Sequence, residues 1–84
     1  MDWQLFAWLK RGSRRKDVLI LLSNSNSPLT ANEIKNQLKI SLSQSSFTLK
    51  ELNQKGLIVC LNPLDKIGKV YKISDYGVEL LNAL

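Results

Sequence analysis

"TANEIKNQLKISLSQSSFTLKELNQKG", residues 30–56, holds two helical patterns separated by a short break. Thr30 and Glu33 form a capping-box pair: the threonine hydroxyl accepts from the third backbone amide of a helix, and the glutamate reaches back to the threonine amide. That pair predicts a helix over residues 31–39 with Ala31, Ile34 and Leu38 facing inward. Ile40, Ser41 and Leu42 read as a turn. Beyond it, stepping about 100° per residue gathers Leu42, Ser45, Leu49, Leu52 and Asn53 on one side of a helix, with Ser46 at its edge. Ser43, Gln44, Phe47, Glu51 and Gln54 stand opposite, and Thr48, Lys50 and Lys55 lie on the flanks. The expectation is an amphipathic helix over residues 43–55, capped by Ser43 and stopped by Gly56. Small serines on its inner side allow the preceding helix to approach closely.

Working outward, "LIVCL", residues 57–61, is a continuous apolar run of strand length, and "VYKIS", residues 70–74, alternates as a strand does. The Asn-Pro and Gly signals between them predict a hairpin whose tip carries Lys66, Lys69 and Lys72. Ser74 then caps a last helix that returns Tyr76, Leu80, Leu81 and Leu84 to the core. Upstream, Pro28 closes a Ser- and Asn-rich loop, and "PLT" has room for a strand of only two or three residues. Before that loop a helix runs from about residue 14 to residue 23, with Ser13 as its cap and Val18, Leu19, Leu21 and Leu22 on its buried side. The chain opens with "WQLFAWLK", residues 3–10, a segment apolar on most sides that calls for burial against the domain or a second copy.

These elements predict an α+β winged helix-turn-helix: a three-helix core, a two-stranded β wing and a short C-terminal helix. Residues 1–12 form an extra aromatic helix and a possible dimer contact, and residues 13–84 form the domain proper. Eighty-four residues with 44% hydrophobic content suit one globular domain. The net charge of +5 favours a polyanionic partner. Without histidine, His-based zinc sites and Ser–His or Cys–His nucleophile pairs are excluded. The lone Cys60 allows no internal disulfide and no thiolate cluster, and reads as a small core residue in a reducing, cytoplasmic setting. The four scattered glycines make no phosphate-cradling loop. No apolar run approaches the roughly 20 residues of a membrane span, and the Met1-Asp2-Trp3 start lacks the basic region of a signal peptide. The expectation is no enzyme, no cofactor, no metal and no membrane partner.

The chemistry of the outward face suits double-stranded DNA. Ser43, Gln44, Ser46 and Thr48 carry short donors and acceptors for base edges, with Thr30 and Asn32 at the start of the preceding helix beside them. Lys50, Lys66 and Lys69 are placed to neutralise phosphates. The basic run "KRGSRRK", residues 10–16, is either a solvated helix cap or, through Arg14 and Arg15, a further set of phosphate contacts.

The order of residues also resembles a known family. Leu49, Leu52, Gly56 and Leu57, followed by Gly68, Tyr71, Ile73, Ser74 and Gly77, are similar to the winged helix-turn-helix transcription regulators of the MarR and ArsR type, especially small archaeal members. The likeness runs over residues 13–84 and implies a DNA-binding regulator acting as a homodimer. In that family a Ser-Arg pair commonly stands where this chain has Ser46 and Phe47, so an arginine that would contact DNA is replaced by an aromatic ring. Phe47 presses on a thymine methyl or is covered by protein. The terminal helix is short for a family dimer, which leaves Trp3, Leu5, Phe6, Trp8 and Leu9 as the dimer contact. The alternative function is a winged-helix protein–protein module in a transcription-related or other multisubunit assembly.

Overall fold

The computed structural model describes residues 2–84. Asp2 caps helix α1 (Trp3–Arg11), its carboxylate accepting from the Leu5 amide at 3.1 Å. Leu5 and Leu9, four residues apart on one face, bury into the body of the domain. This corrects their assignment to a dimer contact: both side chains are spent on the chain's own core. Gly12 breaks the helix, and α2 (Ser13–Asn24) follows directly, with Gly12 at its cap position and no side-chain cap bond. The cap expected from Ser13 is therefore absent, because Ser13 is already the first helical residue. Val18, Leu19 and Leu22 supply the buried side of α2, and Leu21 is half-buried against it.

Leu29–Thr30 form β1, which leads into α3 (Ala31–Leu38). The capping box closes as expected: Thr30 Oγ1 accepts from the Glu33 amide at 3.1 Å and Glu33 accepts from the Thr30 amide at 2.9 Å. Lys39, in the left-handed region with φ 57°, ends α3. A second box starts α4 (Leu42–Gln54): Ser41 Oγ accepts from the Gln44 amide and Gln44 Oε1 accepts from the Ser41 amide, both at 3.1 Å. The cap is thus Ser41, not Ser43, and the helix begins one residue earlier than expected. Ser45 is fully buried and donates to the Ala31 carbonyl at 2.8 Å, so α4 sits close against the first turn of α3. Leu49 and Leu52 complete the inner face. Leu42, Ser46 and Asn53 are exposed rather than inward, because the buried face is rotated toward Thr48 relative to the expected one.

Gly56, with φ 74°, turns the chain into β2 (Ile58–Cys60), which pairs antiparallel with β3 (Val70–Ile73) in the register Ile58 to Ile73 and Cys60 to Tyr71. The short strand allowed at Leu29–Thr30 adds to the other side of β3, Leu29 opposite Tyr71, so the two-stranded wing joins a three-stranded sheet in the order β1-β3-β2 among the described residues. Ser74 ties the sheet to α5 (Asp75–Asn82): its hydroxyl donates to the Gly56 carbonyl at 2.7 Å and accepts from the Gly77 amide at 3.0 Å. Leu80 is buried and Leu81 half-buried, but Tyr76, beside α1 and the end of α4, and Leu84, beyond the end of the helix, stay exposed, contrary to expectation. Cys60 is half-buried on β2 and is not a core residue.

Arg15 locks three helices together. Its guanidinium lies 3.9 Å from the Trp8 ring centroid, donates to the Trp8 carbonyl at 2.7 Å and pairs with Glu51 at 3.3 Å. Lys55 approaches the same ring at 5.4 Å. Trp8 is therefore held by cations of its own chain, and Arg15 is committed to structure rather than free for phosphate.

Candidate nucleic-acid interface

α3, the break over residues 39–41 and α4 form a helix-turn-helix, and the wing between β2 and β3 stands beside it. Because Ser41 and Gln44 cap α4 with side chains, the first turn of the helix is fixed while its outer residues stay open to a partner. Ser43, Gln44, Ser46, Phe47 and Lys50 are all exposed along this helix. Gln44 gives its Oε1 to the cap, leaving its amide NH2 as the group free to read a base. Thr48 leaves the candidate set. It is buried at 2% exposure, and its hydroxyl donates back to the Gln44 carbonyl at 2.8 Å, so it has neither access nor a spare donor.

The wing closes the other side of a shallow concavity. Thr30 and Asn32 at the head of α3, Ser46 on α4 and Lys66 and Lys69 on the wing line it together. Five of the residues expected from sequence thus meet in one place, although they come from three separate elements. Asn32 and Lys66 are exposed, while Thr30 and Lys69 are half-buried. Thr30 spends its hydroxyl lone pair on the Glu33 amide but keeps its own proton to donate. Tyr71 lies at the base of the concavity. Burial pushes its hydroxyl above the ordinary value of 10.0, with the neighbouring Cys60 adding to the effect, so it remains a neutral donor.

Asn62 organises the wing, and the sequence reading passed over it. Its Oδ1 accepts from the Val70 amide at 2.8 Å, and its Nδ2 donates to Asp65 at 2.9 Å and to the Gly68 carbonyl at 3.1 Å. One side chain stands in for a missing stretch of ladder across the loop. The Asn-Pro dipeptide signals a turn, but nothing in it announces three bonds to residues three, six and eight positions on.

Phe47 points away from the wing. At 62% exposure it borders a second depression with Arg11, Arg14 and Glu51, where the α1–α2 corner meets α4. Arg14 is exposed there. Trp3, at 71% exposure, lies on the outer side of α1 with its ring 5.8 Å from that of half-buried Phe6, edge to face. Among the described residues no cluster of three or more His, Cys, Asp or Glu is placed to hold a metal, and no helix is long and apolar enough to cross a membrane.

No sequence-family model and no curated protein sequence matches the chain. Solved structures do. A MarR family transcriptional regulator from Rhodococcus sp. RHA1 superposes with a TM-score of 0.73 and 22% identity over 84% of this chain and 50% of its own. A MarR family regulator from Streptomyces coelicolor gives 0.71 and 26% over 82% of this chain and 48% of its own. A mutant of MepR from S. aureus gives 0.78 and 24% over 95% and 59%. The chain spans about half the length of the two MarR family regulators. Over that span, the five helices and three-stranded antiparallel sheet of the described residues are the winged-helix fold of the MarR family regulators.

Proposed function

We propose that the chain is a DNA-binding transcriptional regulator that sets α4 in a major groove and rests its wing on the neighbouring backbone. The observation that carries this reading is the shared concavity: donors of α3 and α4 and the lysines of the wing converge on it from three elements. The net charge of +5 supplies the long-range attraction, and the open donors of Ser43, Gln44 and Ser46 supply base contacts. Likeness to regulators of the MarR family supports the same reading. Fluorescence anisotropy with random-sequence duplex at two salt concentrations tests it. Affinity that falls steeply with salt supports DNA binding, and no binding at low salt removes it.

Within this reading, Phe47 weakens the contact its position would otherwise make. Phe47→Arg adds a cation on the exposed face of α4 without touching the core, and is expected to raise affinity for duplex several-fold and to steepen the salt slope by about 0.9. An unchanged slope would place Phe47 away from DNA, in favour of a protein partner on that part of α4.

The exposed ring of Trp3 favours a homodimer built on the outer side of α1. Leu5 and Leu9 have no part in it, and Trp8 is engaged with Arg15, so the contact narrows to Trp3 and Phe6. Trp3→Ala is expected to leave the fold intact and shift the chain toward monomer in sedimentation velocity. An unaltered distribution would exclude α1 as the dimer contact.

A further inference from the structure

Leu64 and Ile67, at the wing tip, are the most exposed large apolar side chains of the described residues, at 94% and 92%. The basic-tip reading leaves them unexplained, since a solvated loop gains nothing from two branched aliphatics fully in water. The loop is held in shape: Asn62 bonds across it to Asp65 and Gly68, and Gly68 takes φ 74° to complete the turn. Lys66 and Lys69 flank Ile67, and Leu64 precedes Asp65, whose carboxylate accepts from Asn62, so the tip presents apolar side chains beside two cations.

That combination suits a partner with an anionic rim and an apolar interior. The minor groove of DNA has both, phosphates along its edges and deoxyribose walls and stacked base steps within. Position agrees with chemistry. A single backbone strand separates a major groove from the adjacent minor groove, and the concavity between α4 and the wing is lined for such a strand by Thr30, Asn32, Ser46, Lys66 and Lys69. Ile67 is itself part of that lining, so with α4 in the major groove and the strand in the concavity, the tip meets the minor-groove side of the strand.

We infer that Leu64 and Ile67 form an apolar wedge that enters the minor groove, parts a base step and bends the duplex. The inference rests on the DNA-binding reading and adds to it a deformation of the DNA. Flexible pyrimidine–purine steps are the favoured place for it, because they unstack most easily. Sequence preference then arises at a position where no polar side chain touches a base.

The test compares the wild-type chain with Leu64→Ala/Ile67→Ala and with Leu64→Met/Ile67→Met, using a duplex labelled at both ends. Affinity, salt slope and end-to-end energy transfer are read together. Both side chains are in solvent, so thermal unfolding of the variants should match wild type. The alanine pair is expected to lose about tenfold or more in affinity at an unchanged salt slope, since no counterion is involved, and to leave the duplex straighter. The methionine pair, still apolar and long, should keep most of both effects. Wild-type affinity and bending in the alanine pair would overturn the wedge while leaving DNA binding intact. So would a reduced affinity with the bend unchanged. Failure of the wild-type chain to bind duplex would bring down the DNA reading together with the wedge. Binding to phosphatidylserine vesicles that the alanine pair alone loses, with duplex binding unaffected, would assign the tip to a lipid surface and overturn it as well.

Discussion

Replacing Lys66 and Lys69 together with alanine is expected to lower affinity for duplex DNA by about 10- to 100-fold at low salt. The log–log salt dependence should flatten by nearly two units, about 0.9 for each phosphate no longer neutralised. Among the described residues the one ion pair is that of Arg15 with Glu51, so neither wing lysine is neutralised within the chain. Neither supports the core: one is exposed and the other half-buried at the edge of the concavity. The weaker binding should therefore come without a change in thermal stability. Binding titrations across a salt series check it, and a double variant with the wild-type slope would remove the wing from the interface. This substitution acts on charge, whereas removal of Leu64 and Ile67 acts on apolar burial, so the two variants should separate cleanly in their salt dependence.

The largest effect on stability is expected at Gly77. A Cβ there would stand 2.1 Å from the Leu57 carbonyl oxygen and 2.8 Å from Ile73 Cγ1. The first obstacle is backbone, which cannot rotate aside as a side-chain end can. That carbonyl also accepts from the Ser74 amide at 3.0 Å, so moving it breaks the junction of sheet and α5. Gly77→Ala should destabilise the domain by about 3 kcal/mol, lowering Tm by about 15 °C in a chain of this size. Thermal unfolding followed by circular dichroism measures it. A Tm within about 3 °C of wild type would mean that α5 is not pressed against the start of β2.

These two sites differ in how far the sequence announces them. The Gly56-Leu57 and Ser74-x-x-Gly77 patterns are visible as separate motifs, and the structure joins them through the two hydrogen bonds of Ser74. The join spans 18 residues, which no helical or strand period encodes. Local signals suffice where the interaction is local. The Thr30–Glu33 box is read directly, and the Ser41–Gln44 box has the same spacing and is open to the same reading. The preference for Ser43 as the cap comes from placing Leu42 in the turn.

Sequence and structure part where tertiary packing selects among equivalent residues. Leu5 and Leu9 have a helical spacing that is as good for a dimer stripe as for a core, and only the turn at Gly12, which folds α1 back on α2, decides between them. Thr48 sits at a flank of the helical wheel, where a small rotation of the helix decides exposure, and its bond to the Gln44 carbonyl goes with burial. Arg15 reads as one cation of a basic run, yet its partner Glu51 is 36 residues away. Of the expected interface, Asn32, Ser43, Gln44, Ser46, Phe47, Lys50 and Lys66 are exposed. The aliphatic wing tip is hidden among turn signals, since exposure of Leu64 and Ile67 becomes evident only once the hairpin has formed.

The most direct measurement of the central claim is a titration of backbone amide resonances with a duplex of about two helical turns. Binding through α4 and the wing predicts shifts concentrated at residues 43–50 and 62–69 and at the head of α3, with α1 and α5 unmoved. Shifts confined to α1 or α5, or none at low salt, would contradict it.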